Sequence, residues 1–418
     1  STTPNVHIYE ELRRAYDTGQ RAYWILNVGD IKPAEVSLEF FAALGRNIDQ
    51  YNDANIGEFY QKISSRDYGV DNETAAEIAD IMDEYYQLTS SKRPEYMGLW
   101  DSNYMQEFSR VNNGDEAQIH INRMNALFER AKAVYDSLEA DRKDAFYEMI
   151  YYPIRGAKYM LEWTEYQKMN QLCSKQGRYR STAAYEELSR YAYQCMQNDL
   201  VYYNKVLAGG KWDGIMAPVS NGTRIPSVAQ PYQVTYAQAP TPADALGSVC
   251  EGQTTGNESV TLSFSSLTDD KRFIDVFTRN DEAKDFTITA SDSFLVPSET
   301  SGTVNIEKRI WVGIDWDHLE TGVHTGTITV SGKGLEKTYQ IQAEKFDLDD
   351  PKYAGADYIE SNGYVAIEAE HFSDNIKVGE DEWRVVENWG RVGDSMRVYP
   401  HTNSRSARIE NNLAQNSA

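Results

Sequence analysis

Over residues 55–206 apolar side chains recur every three or four positions, and over residues 246–345 they recur every two. No single secondary structure satisfies both periods, so the chain must fold as a helical part followed by a strand part. In the first part Ile78, Ile81, Met82 and Tyr85 share one helix face, as do Ile121, Met124, Leu127 and Phe128, and residues 183–203 continue the period. Breaks at Lys92-Arg93-Pro94, Asn112-Asn113-Gly114, Tyr152-Pro153 and Lys175-Gln176-Gly177 divide it into about five helices, the pattern of a helical bundle. Of the 29 tyrosines, 22 precede residue 210. On such helix stripes they read as packing aromatics in preference to a sugar platform.

The second part alternates at Ser259-Val260-Thr261-Leu262-Ser263-Phe264, at Asp285-Phe286-Thr287-Ile288-Thr289-Ala290 and at Arg309-Ile310-Trp311-Val312-Gly313-Ile314. Residues 326–330 and 339–343 close the set. Many short strands within about 100 residues predict an immunoglobulin-like β-sandwich, here without the Cys–Trp–Cys signature of antibody domains. Between the two parts, five of the 12 prolines crowd into 211–245, which reads as an irregular linker. Before residue 50, a helix, the apolar run Tyr23-Trp24-Ile25-Leu26, a polar turn and a second helix follow the grammar of a parallel α/β fold. The expected architecture is therefore multidomain α+β. Residues 1–50 are the end of a (β/α) barrel, 51–210 a helical bundle, 211–245 a linker and 246–346 a sandwich. Residues 347–418 are the start of a second, jelly-roll sandwich, and the chain looks cut at both ends.

A length of 418 residues suits roughly two to four domains. The net charge of −23 argues against nucleic acid or an anionic membrane surface as the main partner, though a local basic pocket is compatible with it. No apolar run is long enough to span a membrane, and no signal peptide opens the chain. Cys173, Cys195 and Cys250 supply neither a disulfide framework nor a zinc site, and buried free thiols are expected.

Three segments carry candidate chemistry. In Asn27-Val28-Gly29-Asp30-Ile31-Lys32-Pro33, a barrel reading puts Asn27 and Asp30 at the carboxyl end of a strand, facing a site, with Lys32 offering a cation to a carboxylate. The same residues equally read as a helix cap at Asp30 and a solvated Lys32. Ala208-Gly209-Gly210-Lys211-Trp212 lacks phosphate-loop spacing and reads as a helix end followed by an anchoring tryptophan. Glu368 and Glu370, two apart on an expected strand, either converge on a calcium ion or form a solvated acidic face. No Gly-x-Ser-x-Gly, His-Glu-x-x-His or dinucleotide fingerprint is present.

Taken together, several separated blocks resemble glycoside hydrolase family 115, the xylan α-glucuronidases. They are residues 27–33; Arg93-Pro94-Glu95; Ala145-Phe146-Tyr147-Glu148 with Tyr152-Pro153; Gln176-Gly177-Arg178; and Tyr203-Asn204 with Gly209-Gly210-Lys211-Trp212. Trp311-Val312 with Asp315-Trp316-Asp317, and Gly363-Tyr364-Val365 with Glu368-Ala369-Glu370-His371-Phe372, complete the series. The resemblance covers nearly the whole chain but only the later part of the family's architecture. It implies an enzyme that removes glucuronic acid or its 4-O-methyl ether from xylan side chains with inversion, its principal acid and base lying on barrel strands before Ser1. It further implies that Asn27 and Asp30 line the pocket, that Lys32 helps orient it, and that Asn112 or Asn113 reaches the substrate from a helical-domain loop. A homodimer and a secreted or periplasmic location also follow from it, and Glu368-Ala369-Glu370 further resembles carbohydrate-binding sandwich modules in which such glutamates hold a structural calcium. After Trp212 the chain departs from the family's pattern, which leaves another glucuronate-bearing plant glycan open as substrate. The competing reading is a non-catalytic glycan-binding or scaffold protein of helical and sandwich modules.

Overall fold

The computed structural model describes residues 2–28, 31–94, 97, 108–110, 115–216, 235–268, 270–361, 363–390 and 392–400. The fold is mixed α and β, and among the described residues eight α-helices precede two larger sheets and a final two-stranded sheet.

Helices α1 (Asn5–Asp17) and α2 (Glu35–Arg46) lead into α3 (Ile56–Ile63), α4 (Asn72–Ser91), α5 (Glu116–Ser137), α6 (Ala140–Phe146), α7 (Tyr152–Gln176) and α8 (Tyr179–Lys205). Their ends follow from local chemistry. The Asp71 carboxylate accepts from Thr74 N at 2.8 Å to start α4, and Asp115 accepts from Gln118 N at 3.2 Å to start α5. Gly177 ends α7 with φ +80°, a left-handed conformation that costs a glycine little, and Arg178 N then donates to Cys173 O at 2.9 Å. The expected break at Tyr152-Pro153 is not a break. A π-helical turn at Tyr147–Tyr151 joins α6 to α7, and proline sits in the first turn of α7, where its missing N–H is tolerated.

The tyrosines of these helices form core. Tyr60, Tyr68, Tyr85, Tyr86, Tyr147, Tyr151 and Tyr203 are all buried, and most of them sit in tilted or edge-on ring pairs. Cys173, Cys195 and Cys250 are buried and free.

Beyond α8 the described end of the linker is laid against the helices by side chains. Asn170 Oδ1 accepts from Ala237 N at 2.7 Å, and Gln171 and Ser174 donate to the carbonyls of Thr235 and Gln238. Side chains thus satisfy a backbone that joins no sheet.

Strands β1 (Leu246–Cys250), β3 (Arg272–Thr278), β7 (Glu307–Ile314) and β5 (Leu295–Pro297) form one sheet in the order β1-β3-β7-β5. Strands β2 (Thr261–Ser265), β9 (Leu335–Lys345), β8 (Gly322–Gly332), β4 (Lys284–Ala290) and β6 (Ser301–Val304) form the other, in the order β2-β9-β8-β4-β6, with β2 parallel to β9. Ile274, Val276, Ile310 and Val312 of the first sheet share one buried core with Phe264, Phe286, Ile328, Val330 and Ile341 of the second. β3 escapes an alternation test because it is buried at every position. Ile274 and Val276 face the shared core, while Asp275 and Phe277 meet Arg178 beside α8.

Two expected strands are absent. Tyr23, Ile25 and Leu26 are 78%, 82% and 42% exposed and belong to no strand. A parallel strand needs neighbours, and the described residues supply none beside this one. Residues 365–368 are irregular, and Ala369–His371 is a 3₁₀ turn, where an alternating strand was expected. β10 (Glu382–Val386) and β11 (Ser395–Tyr399) do pair, antiparallel. They dock on α1 through Glu10, which is fully buried and accepts from Tyr399 Oη at 2.6 Å and from Arg397 Nη1 at 3.0 Å.

Candidate functional site

Of the described residues singled out between 27 and 33, Lys32 is drawn into a tertiary cluster. Lys32, just ahead of α2, hydrogen-bonds with its ammonium to Glu35 in the first turn of α2 and to Glu148 in the π-helical turn. The same ammonium lies 4.1 Å from the ring centroid of Trp212. Three blocks of sequence separated by more than a hundred and by some sixty residues therefore meet at one cation. Trp212 reaches it because the chain reverses after α8 through Ala208, Gly209 and Gly210, all at positive φ. At Gly210 a Cβ would approach Lys205 O to 3.1 Å, so the turn demands glycine there.

The cluster is electrostatically loaded. Burial pushes the Glu148 carboxyl up to about 7, Glu35 pushes in the same direction, and Lys32 opposes both. Burial alone would lower Lys32, but its bonds to Glu148 and Glu35 outweigh that and raise it. Glu35 Oε2, Tyr68 Oη and Tyr203 Oη are buried polar atoms without a hydrogen-bond partner. The arrangement can hold a proton between two carboxyls and can lock α2 onto the helices behind it. The Lys32 charge is already met by two protein carboxylates, in place of the free cation expected for a substrate.

This predicts a pH signature. The unfolded Glu148 carboxyl gives up its proton near 4.5 and the folded one near 7. Its contribution, on the order of 3 kcal/mol, is fully present below pH 4.5 and is lost as pH rises to about 7. Melting curves of wild type and Glu148→Gln across that window should diverge in slope, with the variant flatter. Parallel curves would show that Glu148 carries no such proton.

Asn27 is exposed on the irregular segment before Val28. Asp30, Asn112 and Asn113 lie outside the described residues. The flanks of the two asparagines are firmly held, however. Arg110 bonds Asp115 at 3.0 Å, and Ser109 and Glu116 exchange hydrogen bonds of 2.6 and 2.9 Å. Lys92 and Arg110 both reach Glu165, which is 1% exposed on α7. Burial pushes Glu165 up, but Lys168, Lys92 and Arg110 overcome this and hold it below the usual carboxylate range.

Glu368 and Glu370 do not share a strand face. Glu368 precedes the 3₁₀ turn, and Glu370 accepts from Asp394 N at 3.2 Å. The two-carboxylate geometry on which a calcium ion was expected is not the one this segment adopts. Among the described residues no three His, Cys, Asp or Glu side chains are placed to share a metal. Likewise, among the described residues no helix is long and apolar enough to cross a membrane.

Sequence reasoning missed the meeting of Glu148 and Trp212 with Lys32. The Lys32–Glu35 pair, three apart, was open to a spacing argument. Glu148, 116 residues away, was not.

Comparison with known proteins adds an independent line. The family model for glycosyl hydrolase family 115 matches residues 1–96, and the model for that family's C-terminal domain matches residues 357–415. Curated protein sequences give no match. Among solved structures, a family 115 4-O-methyl-α-glucuronidase with specificity for decorated arabinogalactans is 19% identical, with a TM-score of 0.47, over 82% of this chain and 48% of that one. The chain thus spans about half of that protein's length. A family 5 xyloglucanase from Bacteroides ovatus is 18% identical over 25% of this chain and 20% of its own, at a TM-score of 0.19. A family 123 glycoside hydrolase from Clostridium perfringens is 17% identical over 26% and 28%, at 0.21. These three scores are too low to carry an argument, and the assignment rests on the two family models. They match opposite ends of one chain, and Glu10 of the first matched segment grips Arg397 and Tyr399 of the second. Both ends of the chain are thus similar to glycosyl hydrolase family 115.

Proposed function

We propose that this chain is part of a glycoside hydrolase that releases glucuronic acid or 4-O-methylglucuronic acid side chains from xylan or a related plant glycan, with inversion. The observation that carries the reading is the match of family models at both ends of the chain. An inverting glycosidase holds one carboxylic acid and one carboxylate about 6.5–9.5 Å apart, so that water attacks the face opposite the leaving oxygen. In this reading both groups stand on barrel strands outside these residues, and the chain contributes the end of that barrel, a helical bundle and an immunoglobulin-like sandwich. Asn27, Asp30 and one of Asn112 and Asn113 contact the sugar. Lys32 acts indirectly, by fixing α2 to Glu148. A homodimer and a secreted or periplasmic location belong to the same reading.

The test compares the 418-residue chain with a longer protein carrying the preceding barrel strands, on aldouronic acids and on glucuronoxylan. The longer protein is expected to release uronic acid and the chain alone to release none. Turnover by the chain alone would overturn the placement of the acid and base.

A further inference from the structure

A cavity of about 320 Å³ opens where the C-terminal ends of α1 and α2 meet the segment between them, walled by Tyr16, Arg21, Tyr23, Trp24, Phe41 and Arg46. Its volume falls at the lower end of the roughly 300–1,000 Å³ that small-molecule pockets occupy, room for one sugar ring. A ligand can reach the walls, since Arg21, Tyr23 and Arg46 are exposed and Trp24 and Phe41 half-buried. Two cations stand here without a counter-ion. Among the described residues Arg46 has no hydrogen bond or ion pair, and Arg21 has none through its terminal nitrogens. Arg21 is held from behind: its Nε donates to Tyr16 O at 3.0 Å and its guanidinium lies 4.4 Å from the Tyr16 ring centroid. The carboxylate of the lining, Asp49, is taken up by Arg13 at 2.5 Å. Asn47 gives its Oδ1 to Asp49 N at 3.1 Å, which leaves Nδ2 as a further donor to the cavity.

The rest of the lining narrows the class. A cation at a helix C-terminus complements the helix dipole, which accounts for the arginines but not for the aromatic walls around them. Trp24 Nε1 donates to Gln20 O at 2.7 Å, and the indole lies 6.2 Å from the Phe41 ring, so its face is fixed before any ligand arrives. Guanidinium forks match the plane of a carboxylate, and a fixed aromatic face suits the apolar C–H side of a ring. A neutral sugar would leave both cations unused. A phosphate fits less well than a carboxylate, because the partial negative charge of two helix C-termini weighs more heavily on a dianion.

We propose that this cavity binds a hexuronate unit of a glycan, its carboxylate paired with Arg46 and Arg21 and its ring face laid on Tyr23 and Trp24. The site shares no residue with the proposed hydrolytic contacts, and it goes beyond the hydrolytic reading without depending on it. It also answers a problem of charge. A chain of net charge −23 repels an acidic glycan as a whole, so a local pair of free cations is what retains one.

The experiment titrates the whole 418-residue chain with sodium glucuronate, with methyl glucoside as its neutral counterpart and with AMP as a phosphate counterpart, by calorimetry and by the tryptophan indole N–H signals in NMR. The expected result is saturable binding of glucuronate with a Kd of about 1 mM, a shift of the Trp24 indole signal at saturation, and binding of the glucoside about tenfold weaker or less. Arg46→Gln should weaken glucuronate about tenfold, the loss of a charge-assisted hydrogen bond, and Tyr23→Ala about fivefold. Both side chains are exposed, so the variants keep the fold. No saturable binding of glucuronate up to about 50 mM overturns the proposal. So does equal binding of the glucoside, tighter binding of AMP, or glucuronate binding that leaves the Trp24 signal unmoved or that Arg46→Gln does not weaken. A chain that binds here and serves no hydrolase leaves the site standing, so the two readings fail separately.

Discussion

Asp275→Ala is expected to lower the stability of the chain by about 3 kcal/mol or more, because it leaves one buried and one half-buried guanidinium group without their shared counter-ion. Asp275 is 3% exposed on β3 and accepts from Arg178 at 2.9 Å and from Arg309 at 2.8 and 3.1 Å. Arg178, itself 2% exposed, also bonds Glu307 at 2.9 Å, and Arg309 stacks 3.6 Å from the centre of the Phe273 ring. This network joins the turn between α7 and α8 to the sheet, so its loss should appear as separation of the helical and strand parts. Urea unfolding followed by helix signal and by tryptophan emission would then give two transitions in the variant where the wild type gives one. The pH dependence supplies a second check. Burial pushes Asp275 up, but Arg178 and Arg309 overcome it and hold it below its usual 3.8. Its stabilisation is present above that value and is lost as pH falls through the folded one, a loss that Asp275→Ala cannot show. Replacing all three groups by apolar residues of similar size should cost far less than the single change.

The second large effect is at Lys32. Lys32→Met removes the cation between Glu35 and Glu148 and leaves two carboxyls facing each other in a mostly buried site. The expected cost is about 2–3 kcal/mol at neutral pH, below that of a fully buried pair because the Lys32 side chain keeps 16% of its exposure. The deficit should shrink toward pH 5, where Glu148 holds its proton and the repulsion vanishes. The same measurement on Lys32→Met/Glu148→Gln should recover most of the loss. A deficit that is independent of pH would assign Lys32 to packing on Trp212 in place of charge.

The periodicities were legible because each reports a half-buried element. β4 reads as alternation since Phe286 and Ile288 are buried while Asp285 and Thr287 are exposed, and α4 reads as a helix since Ile78, Ile81, Met82 and Tyr85 share one buried face. β3 was illegible for the opposite reason: with both faces covered it has no polar side to alternate with. The run at Tyr23–Leu26 carries the composition of a buried strand without strands beside it, and composition says nothing about neighbours. At Pro153 the rule that proline breaks helices gave way to a π-helical turn that absorbs the missing N–H. At the candidate site the sequence pointed to Lys32 but not to what Lys32 holds, because ion pairs over 116 residues leave no mark on spacing. Glu368 and Glu370 illustrate the converse, since an alternating pattern does not make a strand where no ladder forms.

Inverting hydrolysis of glucuronate side chains is the activity proposed for the protein this chain serves. Its most direct test follows the longer, barrel-containing protein by ¹H NMR on a 4-O-methylglucuronate-substituted xylo-oligosaccharide, reading the anomeric signal of the first uronic acid released. Inversion gives free uronic acid that appears first as the β-anomer and mutarotates afterwards. Initial release of the α-anomer would contradict inversion, and an unaltered oligosaccharide would contradict the activity itself.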